Sequence, residues 1–165
     1  MTERQRARLE SEELKTLIQR IGHEVLPDSH RKFADAVGVE AALKLCEIVG
    51  GREMTIPVPL QTKSKYIEIF RTSAEALSVN DFPSSHKLYA EMLGVDAALK
   101  LFDAFGSEQV YVPKNDRLKG YLRRLDVHEA YYGEGMSVPE ISMDFQMSER
   151  IVQRIISMRL DEIKA

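Results

Sequence analysis

The fold of this chain is decided by residues 89–113, which read YAEMLGVDAALKLFDAFGSEQVYVP, because the chain contains most of this stretch twice. When the sequence is shifted by 56 positions, residues 26–57 align with residues 82–113 without a gap, and 13 of the 32 positions are identical. A gap-free match of this length indicates a duplicated structural unit. Two copies are too few for a solenoid, so we expect a pseudo-symmetric pair in which each unit covers the apolar face of the other.

Each copy predicts two helices followed by a short strand. In the first copy, Asp28 or Ser29 should cap the first helix, and Gly38 should end it in a left-handed conformation. The predicted elements are the helices 28–37 and 39–49 with the strand 54–58, and the helices 86–93 and 95–105 with the strand 108–112. Because a lone strand cannot satisfy its backbone groups, the two strands should pair antiparallel, either within one chain or between two chains.

Three further segments have helical spacing of their apolar residues, and they cover residues 3–25, 63–77 and 114–132. Two shorter helices follow, over residues 137–144 and 148–159. The predicted fold is therefore mainly α, with two short antiparallel strands.

The last two helices have the pattern of a helix-turn-helix. Ser137 followed three residues later by Glu140 is a capping box that starts the first of them. Ser142 is the small residue expected where the helices cross, and Met147 is the apolar residue of the turn. Gln146 occupies a turn position where glycine is common, because the residue there often has a positive φ.

The outward side of the second short helix carries groups that can read DNA. Arginine can form two hydrogen bonds with guanine, glutamine can do so with adenine, and hydroxyls near the helix N-terminus can contact phosphates. The predicted DNA-binding residues of this helix are Ser148, Glu149, Arg150, Gln153, Arg154 and Ser157. An ordinary exposed face of a structural helix bundle has the same pattern, so this alternative stays open.

A basic cluster near the start of the helix over residues 114–132 is the second candidate for DNA contact. Across residues 114–165, nine basic side chains balance nine acidic ones, so the cluster is local. Its members are Lys114, Arg117, Lys119, Arg123 and Arg124. We expect these side chains to contact phosphates, and a solvated helix face is the alternative.

Composition excludes several classes of protein. The net charge of −3 does not suit binding to nucleic acid by bulk charge. The single cysteine, Cys46, permits no internal disulfide and is expected to be buried. No apolar run could span a bilayer and the charged N-terminus is not a signal peptide, so we expect a cytoplasmic protein without membrane partners.

No enzyme, cofactor or metal site is predicted. The histidines lie far apart without metal-ligand spacing, and they are His23, His30, His86 and His128. The glycines fall at helix ends and form no phosphate-binding loop.

The order of these elements resembles the Mor/C transcription activators of bacteriophages. The residues that carry the resemblance are the Gly-Val-acid-Ala-Ala-Leu-Lys-Leu helix, Phe-Gly, a strand ending Tyr-Val-Pro-Lys, and a Ser-Glu-Arg helix-turn-helix. It covers residues 88–158 in full, and residues 26–57 resemble a second copy of the dimerisation half. The resemblance implies an intertwined dimer whose paired strands approach the minor groove, while two helix-turn-helix units enter major grooves and the activator contacts host RNA polymerase.

The resemblance also implies a DNA-facing pair on the second strand, Gln109 and Tyr111. The first copy has Glu53 and Thr55 at the matching positions. Because DNA phosphates repel a glutamate, we expect the first strand not to contact DNA in the same way.

Together these observations predict a helical dimerisation domain over residues 1–113, with repeat copies at about 26–57 and 82–113, and a DNA-binding domain over residues 114–165. The predicted function is that of a sequence-specific, Mor-like activator of a phage or mobile element, which acts at the nucleoid of a bacterial host. Its predicted partners are double-stranded DNA and RNA polymerase, and the chain should form a homodimer or an intramolecular pseudo-dimer. The alternative is an interaction module or anti-activator that pairs with a Mor-type activator, which the 14 basic and 17 acidic residues before position 114 favour slightly.

Overall fold

The computed structural model describes residues 1–63, 66–67 and 77–163, and these residues are mainly helical with one small antiparallel sheet. The chain divides into two compact units, Met1–Asn115 and Asp116–Ala165. The helix predicted over residues 63–77 lies largely outside the described residues. No helix of the described part is long and apolar enough to cross a membrane.

The first unit begins with two helices, α1 (Glu3–Leu9) and α2 (Glu12–Arg20). The prediction of one continuous helix over residues 3–25 is therefore wrong. The hydroxyl of Ser11 accepts a hydrogen bond from the Leu14 amide at 3.3 Å, and this cap starts a new helix.

The two repeat copies have the same elements in the same order. They are α3 (Asp28–Val37), α4 (Val39–Val49) and β1 (Arg52–Thr55), and then α5 (Ser84–Leu93), α6 (Val95–Phe105) and β2 (Gln109–Val112). The predicted bounds of α4 and α6 are confirmed. Gly38 and Gly94 separate the helices with φ values of 87° and 85°, so the predicted positive φ of Gly38 is confirmed. Their ψ values of 161° and 162° nevertheless lie outside the left-handed helical region.

Prolines lie at some of the ends where the elements differ from the prediction. Pro27 and Pro83 are the N-caps of α3 and α5 without a side-chain hydrogen bond, so the predicted caps Asp28 and Ser29 are wrong. Because Pro83 is the N-cap, α5 begins at Ser84, two residues before the predicted position 86. Strand β1 covers Arg52–Thr55 and not the predicted residues 54–58. The Ile56 amide still donates to the Glu108 carbonyl at 2.9 Å, but Pro57 has no backbone N–H that could continue the pairing.

Each copy packs its helices against the other copy. Helix α3 contacts α6, and α4 contacts α5. The Phe33 and Phe105 rings lie 5.1 Å apart between α3 and α6. Helices α1 and α2 both pack on α4 in addition. The largest fully buried side chains of the two copies include Phe33, Leu43, Leu45, Leu101 and Phe102.

The two strands pair antiparallel within this chain. Glu53 lies opposite Tyr111, and Thr55 lies opposite Gln109. All four of these residues are exposed on one face of the sheet, while Val112 on the other face is fully buried. The two strands therefore form a ribbon in the first unit, and one face of this ribbon is exposed to solvent.

The described residues of the second unit, 116–163, form four helices. They are α7 (Asp116–Tyr132), α8 (Val138–Asp144), α9 (Glu149–Ile156) and α10 (Leu160–Ile163). The prediction that the helix from residue 148 continues to residue 159 is wrong. It ends at Ile156, and the Arg159 amide donates to the Glu162 carboxylate at 2.8 Å where α10 begins.

Candidate nucleic-acid interface

Helices α7, α8 and α9 form a small core that holds α9 with one face outward. Ile141 and Val152 are fully buried, and Ile155 is nearly so. Val127 and Ala130 of α7 complete the buried cluster, and the side chains packed around it are Met136, Val138, Phe145, Met147 and Ile156. The side of α9 that carries Val152 and Ile155 therefore faces the core of this unit.

The turn between α8 and α9 is stabilised by side-chain hydrogen bonds. Gln146 has a φ of 52°, the positive value expected at this position of the pattern. Ser142 donates from its hydroxyl to the Met147 carbonyl at 2.5 Å, so the small residue of α8 bonds the turn directly. Ser148 then caps α9 by accepting from the Ile151 amide at 3.3 Å.

The start of α8 is stabilised by the predicted capping box. The Ser137 amide donates to the Glu140 carboxylate at 2.7 Å, and the Glu140 amide donates back to the Ser137 hydroxyl at 3.3 Å. These hydrogen bonds to the charged form lower the pKa of Glu140 below its ordinary value.

All six residues predicted on the outward face of α9 are exposed: Ser148, Glu149, Arg150, Gln153, Arg154 and Ser157. They present hydroxyl, guanidinium, amide and carboxylate groups along one helix. The structure adds Ile151, which the sequence pattern missed and which is 41% exposed beside them. An apolar contact to a thymine methyl group is the base contact that such a residue can make.

The five basic residues predicted to contact phosphates do not have one common role, and Lys114 lies before α7 while the other four lie in it. Lys114 and Arg117 are exposed, and Lys119 is half-buried. Arg123 donates to the Phe145 carbonyl in the turn, and Arg124 donates from Nε and Nη2 to the Ile163 carbonyl at 3.2 and 2.9 Å. Arg123 and Arg124 therefore connect α7 by hydrogen bonds to the end of α8 and to α10, and part of their hydrogen-bonding capacity is already used.

A groove of about 470 Å³ runs between α7 and α9. Arg123 and Arg124 line it from α7, and Arg154 lines it from α9. Its remaining lining consists of Gly120, Met147, Ile151, Ile155 and Met158. Three guanidinium groups thus surround an apolar floor beside the outward face of α9.

The exposed face of the two-stranded sheet is the other candidate surface. Gln109 and Tyr111 both lie on it, and 52% of Tyr111 is exposed. The side-chain amide of Gln109 donates to the Glu53 carboxylate at 2.8 Å, a contact between the two copies. Sequence reasoning placed these two residues at equivalent positions, but it could not find this hydrogen bond.

The sequence profile of the Mor transcription activator family matches residues 67–165. The chain belongs to the Mor transcription activator family. The family assignment made from the sequence is thereby confirmed. No curated protein and no solved structure matches the chain.

The region matched by the Mor family contains the second repeat copy and the whole second unit. It leaves out residues 26–57, the first repeat copy. The matched region therefore includes Gln109 and Tyr111, and Glu53 lies outside it.

His86 is a buried polar residue of this Mor-family chain with structural partners. The ring of His86 is bound at both nitrogens, by the Ser85 hydroxyl and by the Val58 carbonyl, each at 2.7 Å. Burial lowers the pKa of His86 below its ordinary value of 6.5. Burial also raises the pKa of the Cys46 thiol to about 12, so this thiol is unreactive near neutral pH. In the described part of the chain, no three His, Cys, Asp or Glu side chains are grouped as metal ligands would be.

Proposed function

We propose that this chain is a sequence-specific DNA-binding transcription activator, with α8 and α9 as its helix-turn-helix and α9 as its recognition helix. One observation carries the proposal. A short helix, fixed by a buried core and a positive-φ turn, exposes Arg150, Gln153 and Arg154 on its outward face. Membership of a transcription activator family supports it.

The chemistry of α9 suits the major groove. Arg150 and Arg154 are one helical turn apart, so both guanidinium groups can meet neighbouring base pairs, and Gln153 can bind adenine. Ser148 can donate a hydrogen bond from its hydroxyl to a phosphate at the start of the helix. The Ser157 hydroxyl donates to the Arg154 carbonyl at 2.9 Å, and it would have to exchange this hydrogen bond to bind a phosphate. Glu149 is suited to accept from the amino group of cytosine.

In our proposal, the basic residues of α7 and Lys114, which precedes this helix, contact phosphates. The positive charges of Lys114, Arg117 and Lys119 would attract DNA phosphates whatever the base sequence. Arg123 and Arg124 retain further N–H groups beyond those bound to carbonyls, since a guanidinium has five donors.

The first unit, in this proposal, is a duplicated dimerisation unit folded as an intramolecular pseudo-dimer. The gap-free repeat, the packing of α3 on α6 and of α4 on α5, and the pairing of β1 with β2 support it. Its ribbon would contact DNA through Gln109 and Tyr111. By resemblance to its family, the activator would then recruit RNA polymerase.

The test begins with DNA selected by the chain from a random duplex pool, followed by gel-shift titration. Arg150→Ala and Arg154→Ala should each weaken binding by about 1 to 3 kcal/mol, because each removes a paired contact with a base. Arg4→Ala is the matched control, since Arg4 is an exposed arginine of α1 in the other unit.

The circular dichroism spectra and melting temperatures of all three variants should match those of the parent chain, because the replaced side chains are exposed. Unchanged affinity in both α9 variants would reject α9 as the recognition helix. A chain that selects no DNA, yet abolishes the gel shift of another Mor-type activator, would support the interaction-module alternative.

A further inference from the structure

The outward face of the two-stranded sheet combines three neutral polar residues with one carboxylate. Thr55, Gln109 and Tyr111 can all donate hydrogen bonds, whereas Glu53 carries a negative charge. The hydrogen bond of 2.8 Å from Gln109 to Glu53 engages one donor of the residue proposed to contact DNA. The charge and the proposed contact residue therefore lie at the same place on the surface.

A face without that carboxylate would suit DNA of many sequences. A two-stranded ribbon fits a DNA groove, and amide and hydroxyl donors can bond to phosphate, sugar and base acceptors alike. A carboxylate can only accept, and phosphates repel it. The groups of DNA that can satisfy it are base amino groups, which are N4 of cytosine and N6 of adenine in the major groove and N2 of guanine in the minor groove.

We propose that Glu53 is a specificity-determining residue of the ribbon. Its carboxylate holds the Gln109 amide, and it makes close contact of the ribbon with DNA conditional on a base amino group opposite it. This inference rests on the proposed DNA-binding function. It assigns the first repeat copy a role of its own, which is to lower the affinity of the ribbon for DNA in general.

The discriminating variant is Glu53→Gln, because glutamine keeps the length of the side chain and an oxygen that can accept from Gln109. Two probes are used, a duplex selected by the parent chain and a duplex of mixed sequence. The variant should bind the mixed duplex about fivefold more tightly at about 50 mM salt, with a smaller gain at about 200 mM. Its ratio of selected to mixed affinity should fall.

Glu108→Gln is the matched control, with the same change of charge. Glu108 is exposed just before β2, and strand alternation places it off the face that carries Gln109 and Tyr111. This control should change the affinity for the mixed duplex by less than about twofold. Glu53→Ala provides a second variant, which removes the acceptor together with the charge and should show the same gain.

The outcomes separate the two claims. If the parent chain binds its selected duplex but neither Glu53 variant gains affinity for the mixed duplex, this inference alone is overturned. An equal gain in Glu108→Gln also overturns it, because net charge would then suffice. If the parent chain and the variants bind neither duplex, the proposed function and this inference are both rejected.

Discussion

Helices α4 and α6 occupy the same position in the two repeat copies, but their surroundings differ. Both have eleven residues, and both contain Ala-Ala-Leu-Lys-Leu. Eight residues of α4 are buried, against three of α6. Helices α1 and α2 pack on α4, and this cover accounts for the additional buried residues. The same helical sequence can therefore serve as a central or as a half-exposed element, depending on what is packed against it.

The polar contacts of α4 are also more buried than those of α6. Glu47 of α4 is nearly buried, where it accepts from the Asn115 amide at 3.0 Å and lies 3.5 Å from an Arg8 guanidinium nitrogen. Its counterpart in α6 is Asp103, which is exposed and accepts from Gln61 at 2.6 Å. Both helices thus have a carboxylate at this aligned position, and only that of Glu47 is buried.

The largest expected effect concerns whether the two copies pair within one chain. Cysteines introduced by Glu53→Cys and Tyr111→Cys would lie directly opposite each other on paired strands, within reach of a disulfide. After oxidation, the double variant should migrate as a cross-linked monomer of 18.8 kDa on a non-reducing gel. Cys46 should not interfere, because it is buried.

The two single-cysteine variants are the controls for random cross-linking. If the double variant at low concentration gives mainly a disulfide-linked dimer, the strands pair between chains.

The second prediction tests the unequal burial of the two helices. Leu43 is fully buried and its counterpart Leu99 is half-buried. Urea unfolding should show a loss of about 3 kcal/mol for Leu43→Ala and about 1 kcal/mol for Leu99→Ala, because only the first leaves a closed cavity.

The next pair of leucines along the helices, Leu45 and Leu101, serves as the reference. Both are fully buried, so the two alanine variants should lose similar free energies of unfolding. Equal losses at Leu43 and Leu99 would contradict the difference in cover.

The third prediction concerns the two carboxylates. Glu47→Ala should cost about 2 kcal/mol of unfolding free energy, because it leaves the buried Asn115 amide with one hydrogen bond fewer. Asp103→Ala should change stability little, since its contact with Gln61 is exposed. Thermal denaturation measured by circular dichroism checks both values, and a larger loss for Asp103→Ala would reverse the assignment.

The smallest expected effect is a pH dependence from His86. Its pKa is lowered in the folded state, so between the ordinary value of 6.5 and the folded value only the unfolded chain takes up the proton. His86 therefore does not reduce the free energy of unfolding above pH 6.5, but this free energy falls as the pH falls below that value.

The matched variant is His86→Gln, which keeps a donor for the Val58 carbonyl and cannot titrate. Urea midpoints measured across this range should fall less steeply in the variant than in the parent chain. Parallel curves for the two proteins would contradict the assignment.

Much of the candidate site could be predicted from the sequence because it depends on local rules. The pattern predicted the outward residues of α9, all of which are exposed, and it predicted the capping box of Ser137 and Glu140. The positive φ of Gln146 followed from its place in the pattern. Caps, turns and helical periodicity act over about four residues, so they can be read without knowledge of distant contacts.

Contacts between residues far apart in the sequence could not be predicted, because these local rules do not describe them. Arg124 and Ile163 are 39 residues apart, and the sequence did not predict the hydrogen bond from this arginine to the Ile163 carbonyl. The hydrogen bond from Gln109 to Glu53 likewise joins residues 56 positions apart. Such contacts depend on how the helices and strands pack, which a run of neighbouring residues does not specify.

By itself, the sequence determined the repeat, the bounds of α4 and α6 and the family of this chain, because each is written in residue identity and short-range spacing. Only the tertiary structure decided that α4 is buried more than α6, and that Glu53 meets Gln109 across the sheet. The physical reason is that burial and cross-strand pairing depend on what packs against an element, and two copies of one sequence can receive different neighbours.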